Sequence, residues 1–597
     1  MKRELLMPIV ALIVALLAGA CTDSDYDLSD IDTTVGLSVN DLVVPINIDS
    51  IFLEPILDLE DDSKVKNVDG EYAVVEDGTF SSEPVNVPSY TASATTSTPI
   101  VDELELTPSD ELLAAIAEVQ LTAGEPALSC SISDESTEIS IVAEDVDEAL
   151  VSVERLTAEP VAMSVVVEFT GLAGMADEFV IDDFKFQFFK GLDATIDVGT
   201  YDPETGIIAV DYIKTTDHKI STGLQATSIS EESGMGIDED RTFSLVQECY
   251  TLAGTVSVYP EAINSKYVNA DGSVDAPTLM ADLPEKVSYR CTINIDDVEA
   301  REFTGVVKYA IEGIDIEPVA LTDIPDVLNQ LGTDIRLKNP QIYLALNNPV
   351  ERYDIYAQAG LLLTSHVGGT ASEYEMDEPI VIDEEDNKYC ISPTAPASYY
   401  AGYEDAEHVL FSTLGDVLSG EQMPSTIDIE VTSPEIPEQR VEGFKLGEDI
   451  EAIEGSYVFY APLQLSADAK VVYTDTIDGW NDEDVDAITI TKLVVNANVS
   501  TDMPLDIEFK VYPIDPEGNK MYDDGVVVCG TVNTTVYYGM DEPVEVTVDG
   551  TITHLDGIIV EARATGVDDS DESLRAEQTI VLTEVKATVS GTYIKEL

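Results

Sequence analysis

The chain has 597 residues, 117 of them acidic and 29 basic, so its formal net charge is −88. Such a field repels phosphate backbones, and binding them takes Lys and Arg to displace counterions, so nucleic acid is excluded as a partner. Hydrophobic residues make up 44% of the chain, which excludes a disordered polyacid and leaves apolar material for about three to five domain cores.

The first segment carries Lys2 and Arg3, partly offset by Glu4. An apolar run follows from Leu5 to Leu17, then the small residues Ala18-Gly19-Ala20, then Cys21 and the acidic run Thr22-Asp23-Ser24-Asp25-Tyr26-Asp27. A charged start, an apolar core and small residues before a cleavage point make a signal peptide. A membrane span needs about 20 apolar residues, and this run is shorter and ends at a cysteine followed by acid. The stretch resembles the lipobox of diacylglyceryl lipoproteins, with Ala18 where that box most often has Leu. The resemblance implies cleavage before Cys21, lipidation of Cys21, and a membrane anchor firm enough to hold, since more than one acyl chain is attached. The acidic run is similar to the export tag of Bacteroidetes lipoproteins, which implies the outer face of the outer membrane. The negative field disfavours docking on an anionic lipid surface, so the body is expected to stand off on its tether.

Residues 1–20 are read as the signal peptide, 21–45 as an acidic tether and 46–145 as an N-terminal mixed or β region. Within the last, a helix is predicted from Thr107 as N-cap, with Pro108 at its first position and Leu112, Leu113, Ile116 and Val119 on one face. Period-two alternation dominates beyond it, as in Phe184-Lys185-Phe186-Gln187-Phe188. Val198 to Val210 reads as a hairpin around Asp202-Pro203-Glu204-Thr205-Gly206, and a similar turn recurs at Asp515-Pro516-Glu517-Gly518-Asn519. A faint repeat joins a short amphipathic segment to D-I-x-[LV]-x-x-P, once from Ile324 to Pro340 and again from Leu410 to Pro434. The pattern predicts a mainly β chain of tandem antiparallel, immunoglobulin-like β-sandwich domains with a few short inserted helices. Sandwich domains are placed at 146–295, 296–450 (with the short helices) and 451–597.

Six cysteines occur, Cys21, Cys130, Cys249, Cys291, Cys390 and Cys529, without a C-x-x-C pair. Wide spacing argues against zinc and favours buried free thiols; Cys249 and Cys291 are the pair to test for neighbouring strands. Only four histidines are present, His218, His366, His408 and His554, and none has metal-type spacing. No G-x-S-x-G elbow, phosphate-binding loop, dinucleotide glycine pattern or H-E-x-x-H motif appears. Carboxylate pairs for glycoside hydrolysis cannot be chosen among 117 acids. No cofactor is expected, although the Asp-rich stretch at Asp482, Asp484 and Asp486 offers carboxylates of the kind Ca²⁺ takes. The lone Trp480 and the pair Tyr399-Tyr400 are the candidate ligand-binding aromatics.

Cys21 with its acidic run, and Asp27-Leu28-Ser29-Asp30-Ile31-Asp32 leading to Leu42-Val43-Val44-Pro45-Ile46-Asn47, resemble Bacteroidetes surface lipoproteins of uncharacterised function built from β-sandwiches. That resemblance implies a non-enzymatic binding or structural module, lipid-anchored at the outer membrane, with a glycan or protein partner at the cell surface. The alternatives are a glycan-binding accessory of an outer-membrane sugar-import system, a pilus-like adhesin subunit and, last, a hydrolase.

Overall fold

The computed structural model describes residues 34–45, 50–57, 59, 63–230, 234–321, 324–481, 486–521, 535–567, 570 and 572–596. Residues 1–20, Cys21 and the acidic run after it, Asp482, Asp484 and Cys529 lie outside them. The fold is mainly β, built of antiparallel sheets packed as sandwiches with four short helices among the described residues. One pair, Asp386–Ser392 beside Glu407–Leu410, is parallel.

Alternation drives the layers. Along Lys219–Ser230 buried and open positions take turns for ten residues, the period of a strand with one face on a core. Phe184, Phe186 and Phe188 fall on the inner face of their sheet and are buried together with Phe189. Each such ring contributes about 1.5–3 kcal/mol from area removed from water. The predicted hairpin forms, with Thr200 opposite Ala209 and the Gly206 amide donating to the Asp202 carbonyl at 2.8 Å. At the second turn the Gly518 amide donates to the Asp515 carbonyl at 2.9 Å.

Three sandwiches follow one another. The distal one sets the eight-stranded sheet, which includes Phe179–Gln187 and Phe243–Val258, against one half of a thirteen-stranded sheet. The other half of that sheet, with Ala357–Val367 and Thr426–Lys445, faces a six-stranded sheet in the middle sandwich. The strand Val298–Ala310 joins the halves, pairing with Leu150–Thr170 on one side and Thr426–Lys445 on the other. The C-terminal sandwich has five strands in one sheet and four in the other.

The N-terminal segment is distributed differently from the expected boundaries. Residues 34–45, expected within the tether, are a strand that pairs with the last one, from Thr34 opposite Glu596 to Pro45 opposite Lys586. Ile51 then lies opposite Ile580 on the same partner. The chain next crosses to the middle sandwich, where Glu71–Ser81 pairs with Glu454–Pro462. Its residue-71 end touches the C-terminal sandwich, through the Tyr72 amide on the Leu574 carbonyl at 2.9 Å. Its other end leads to Val85 opposite Ile450, and then to the distal sandwich. There Thr91–Ala92, Thr95–Thr96 and Ile100–Glu105 pair in turn with residues 299 back to 286. One continuous segment therefore laces all three sandwiches in the reverse of their sequence order. The region 46–145 is accordingly no separate unit, and the cuts near 145 and 295 pass inside the distal sandwich.

The predicted helix is shorter and later than expected. It spans Asp110–Ala114 with Ser109 as its cap, whose side chain accepts from the Leu112 amide. Thr107–Pro108 instead forms a rung with residues 128–129, so sheet pairing takes the positions assigned to the cap. Leu112 is buried, whereas Leu113 is 58% and Ile116 95% exposed, so the apolar face predicted over 112–119 does not form. The two halves of the faint repeat also differ. Asp428 to Ser433 lies within a 20-residue strand, while Asp334 and Ile335 make only isolated bridges.

Candidate functional site

Trp480 sits where the strand Lys470–Ile477 has ended, at the end of the C-terminal sandwich remote from the middle one. Two tight turns meet there. Gly557 allows it, because a Cβ at that position would stand 2.0 Å from the Ile477 carbonyl oxygen. The Trp480 amide donates to the Asp556 carbonyl at 2.6 Å, and the Asn481 amide to Asp556 Oδ1 at 2.9 Å. The indole is half-buried against the core, leaving part of the ring open.

Beside it, His554 Nδ1 lies 2.5 Å from Asp486 Oδ1, and Asn481 Nδ2 donates to the same oxygen at 3.4 Å. His554 holds a left-handed backbone (φ 60°), which turns its ring toward Asp486 across the two turns. The imidazole is 65% and the carboxylate 46% exposed, so both retain open hydrogen-bonding capacity. Hydrogen bonds from His554 and then Asn481 hold the Asp486 carboxyl below its ordinary value. A partly open indole, on turns that also carry an imidazole, an amide and two carboxylates, has the chemistry to stack on an apolar sugar face and exchange hydrogen bonds with its hydroxyls.

The structure thus gathers Trp480 and Asp486, which the sequence singled out as candidate ligand-binding and metal residues, with the neighbouring Asn481, and adds His554, to which the sequence assigned no site. Asp486 serves His554, and no group of three or more metal-ligating side chains occurs among the described residues. Tyr399 and Tyr400 stand elsewhere, on the loop 393–406 that covers the outer face of the six-stranded sheet. Tyr400 packs on Tyr343 and Tyr460 with ring centroids 5.8 and 5.3 Å apart, and its amide donates to the Tyr343 hydroxyl. Lys388 fastens the loop by donating to the Gly402 carbonyl and to Asp405. These tyrosines close a satellite core, with both rings only partly exposed.

Ser392 and His408 are 3.0 Å apart, but the serine is fully buried and its hydroxyl donates to the Thr394 carbonyl at 2.8 Å. A second imidazole–carboxylate pair, His366 with Asp428 at 2.7 Å, lies on strands of the middle sandwich. Cys130, Cys249, Cys291 and Cys390 are buried free thiols. Cys249 and Cys291 belong to different sheets, so they are not neighbours along a ladder. Burial pushes the thiols of Cys130, Cys249 and Cys291 up to about 12. Three cavities of about 30 to 40 Å³ lie inside the sandwiches, lined almost wholly by apolar side chains. Each has room for one water and offers it few polar partners, so they are packing voids.

No family model matches the chain, and no curated protein matches it. Among solved structures, a "putative secreted protein" of Parabacteroides distasonis ATCC 8503 is similar over 48% of this chain and 89% of its own, at 15% identity and a TM-score of 0.34. A structure of Sulfolobus Turreted Icosahedral Virus covers 84% of this chain and 91% of its own, at 8% identity and a TM-score of 0.12. No helix among the described residues is long and apolar enough to cross a membrane.

Proposed function

We propose that the protein is a non-enzymatic, lipid-anchored surface module that holds a binding or structural body away from the outer membrane. The observation that carries this reading is the lacing segment. Cys21 stands thirteen residues before Thr34, where the chain enters the C-terminal sandwich at its outer end. From there the segment climbs through the middle sandwich into the distal one, so an anchor at Cys21 puts the C-terminal sandwich nearest the membrane. The residues between span about 45 Å at most when extended, at roughly 3.3–3.6 Å each. The strong negative charge favours stand-off and solubility at such a surface. Replacing Cys21 with Ser tests the anchor: the variant should leave the membrane fraction, and its retention there would refute the reading.

A second reading, glycan binding, has its own observation in the half-open Trp480 beside His554, Asp486 and Asn481. A glycan array probed with the mature protein tests it, with binding lost on Trp480→Ala as the supporting result. Array silence in the unaltered protein removes this reading and leaves the anchored module standing.

A further inference from the structure

We propose that the pairing of the first described strand, Thr34–Pro45, with the last, Thr579–Glu596, is a shear clamp that bears tension between the membrane anchor and the body. The proposal rests on the anchored reading, because it asks what that anchor pulls on.

The first strand makes ten residue pairs with the last. Along it, Gly36, Leu37, Ser38, Asn40, Asp41 and Val43 are exposed and Val39 is half-buried. At those exposed positions the ladder of backbone hydrogen bonds is the attachment. The last strand is not an edge. On its other side it makes twelve pairs with Ile488–Thr501, which in turn makes ten with Asp541–Ile552. The first strand is thus bonded along its length to one that is held on its other side as well.

Direction decides what this means under load. Thr34 lies at the outer end of the sandwich, and the strand runs from there toward the middle sandwich. Tension from the tether acts along the strand, while antiparallel hydrogen bonds run across it. All the rungs are then loaded together, and sliding the strand requires breaking them at once. A bulge between Val39 and Leu42 adds a catch: Asp41 turns left-handed (φ 50°), its amide donates to Ser590 Oγ at 3.1 Å, and Ser590 donates to Asp41 Oδ1 at 3.3 Å. Sliding must pull this bulge out of register. The same pair is weak in another direction. Thr34 faces Glu596, so drawing those two ends apart loads one rung at a time.

The contrast gives a test on the purified, unlipidated full mature chain, which keeps it independent of whether Cys21 is acylated in cells. Single-molecule pulling is done in two geometries. One uses handles ahead of Thr34 and at Thr216, in the turn at the far end of the distal sandwich; the other uses handles ahead of Thr34 and at the C-terminus. The clamp predicts that release of residues 34–45 takes a several-fold higher force in the first geometry than in the second. Equal forces, or release of the strand at low force in the first geometry, would overturn it. A chain that shows the contrast but leaves membranes regardless of Cys21 would retain the clamp and lose the anchor.

Discussion

Thr34 and Glu596 stand opposite each other in one antiparallel ladder, so strands far apart in sequence close a single sheet. The C-terminal sandwich therefore depends on a strand made long before the rest of it. It cannot complete its sheet until Thr579–Glu596 has been synthesised.

Deleting residues 34–45 should loosen the C-terminal sandwich alone. Hydrogen exchange would show protection lost along 579–596, whose rungs to the first strand disappear, with a smaller loss in 488–501. The distal strands 150–170 and 286–295 should be unchanged, since their partners are kept. Uniform loss across all three sandwiches would contradict the strand assignment.

Trp480 is the only tryptophan, so intrinsic fluorescence reports the candidate site without engineering. A half-buried indole should be partly quenched by neutral acrylamide, and a bound saccharide should protect it. His554→Ala should weaken such binding while leaving the fold intact, because the imidazole is largely exposed.

The Asp486 carboxyl is held low by His554 and Asn481, which fixes the sign of its pH dependence. A depressed folded value means the interaction stabilises the fold above the ordinary carboxylate range and is lost as pH falls through the folded value. NMR titration of the Asp486 carboxyl should show its midpoint rise toward the ordinary Asp value in His554→Ala. An unchanged midpoint would remove the hydrogen bond as its cause.

The thiols of Cys130, Cys249 and Cys291 should resist alkylation at pH 8 in the folded protein and react fully once it is unfolded. Burial both blocks access and withholds the thiolate, the reactive form. Mass spectrometry of peptides labelled before and after denaturation reads this directly. Failure of Cys249 and Cys291 to label after denaturation without reductant would mean that they are joined.

Much of the local structure was legible in the sequence. The Phe184, Phe186 and Phe188 alternation, the Asp202–Gly206 hairpin and the Asp515 turn depend on neighbours within a few positions, and periodicity and turn chemistry report those well. The helix at 110 was displaced because Thr107 and Ser109 are both cap-type residues, and only the distant partner at 128–129 decides between them. The lacing of residues 34–105 left no local mark at all, since a strand's periodicity shows that it pairs but not with which partner. The same holds for the candidate site. Trp480 stood out by its rarity, whereas His554 joins it only because Gly557 lets two turns close on each other.

On the proposed reading Cys21 is the anchor from which the laced body hangs. Mass spectrometry of the N-terminal peptide, from protein extracted out of the membrane fraction, reads this. The expected result is a peptide beginning at Cys21 and carrying a thioether-linked diacylglyceryl group. A peptide that retains Lys2 and Arg3, or one in which Cys21 is unmodified, would contradict it.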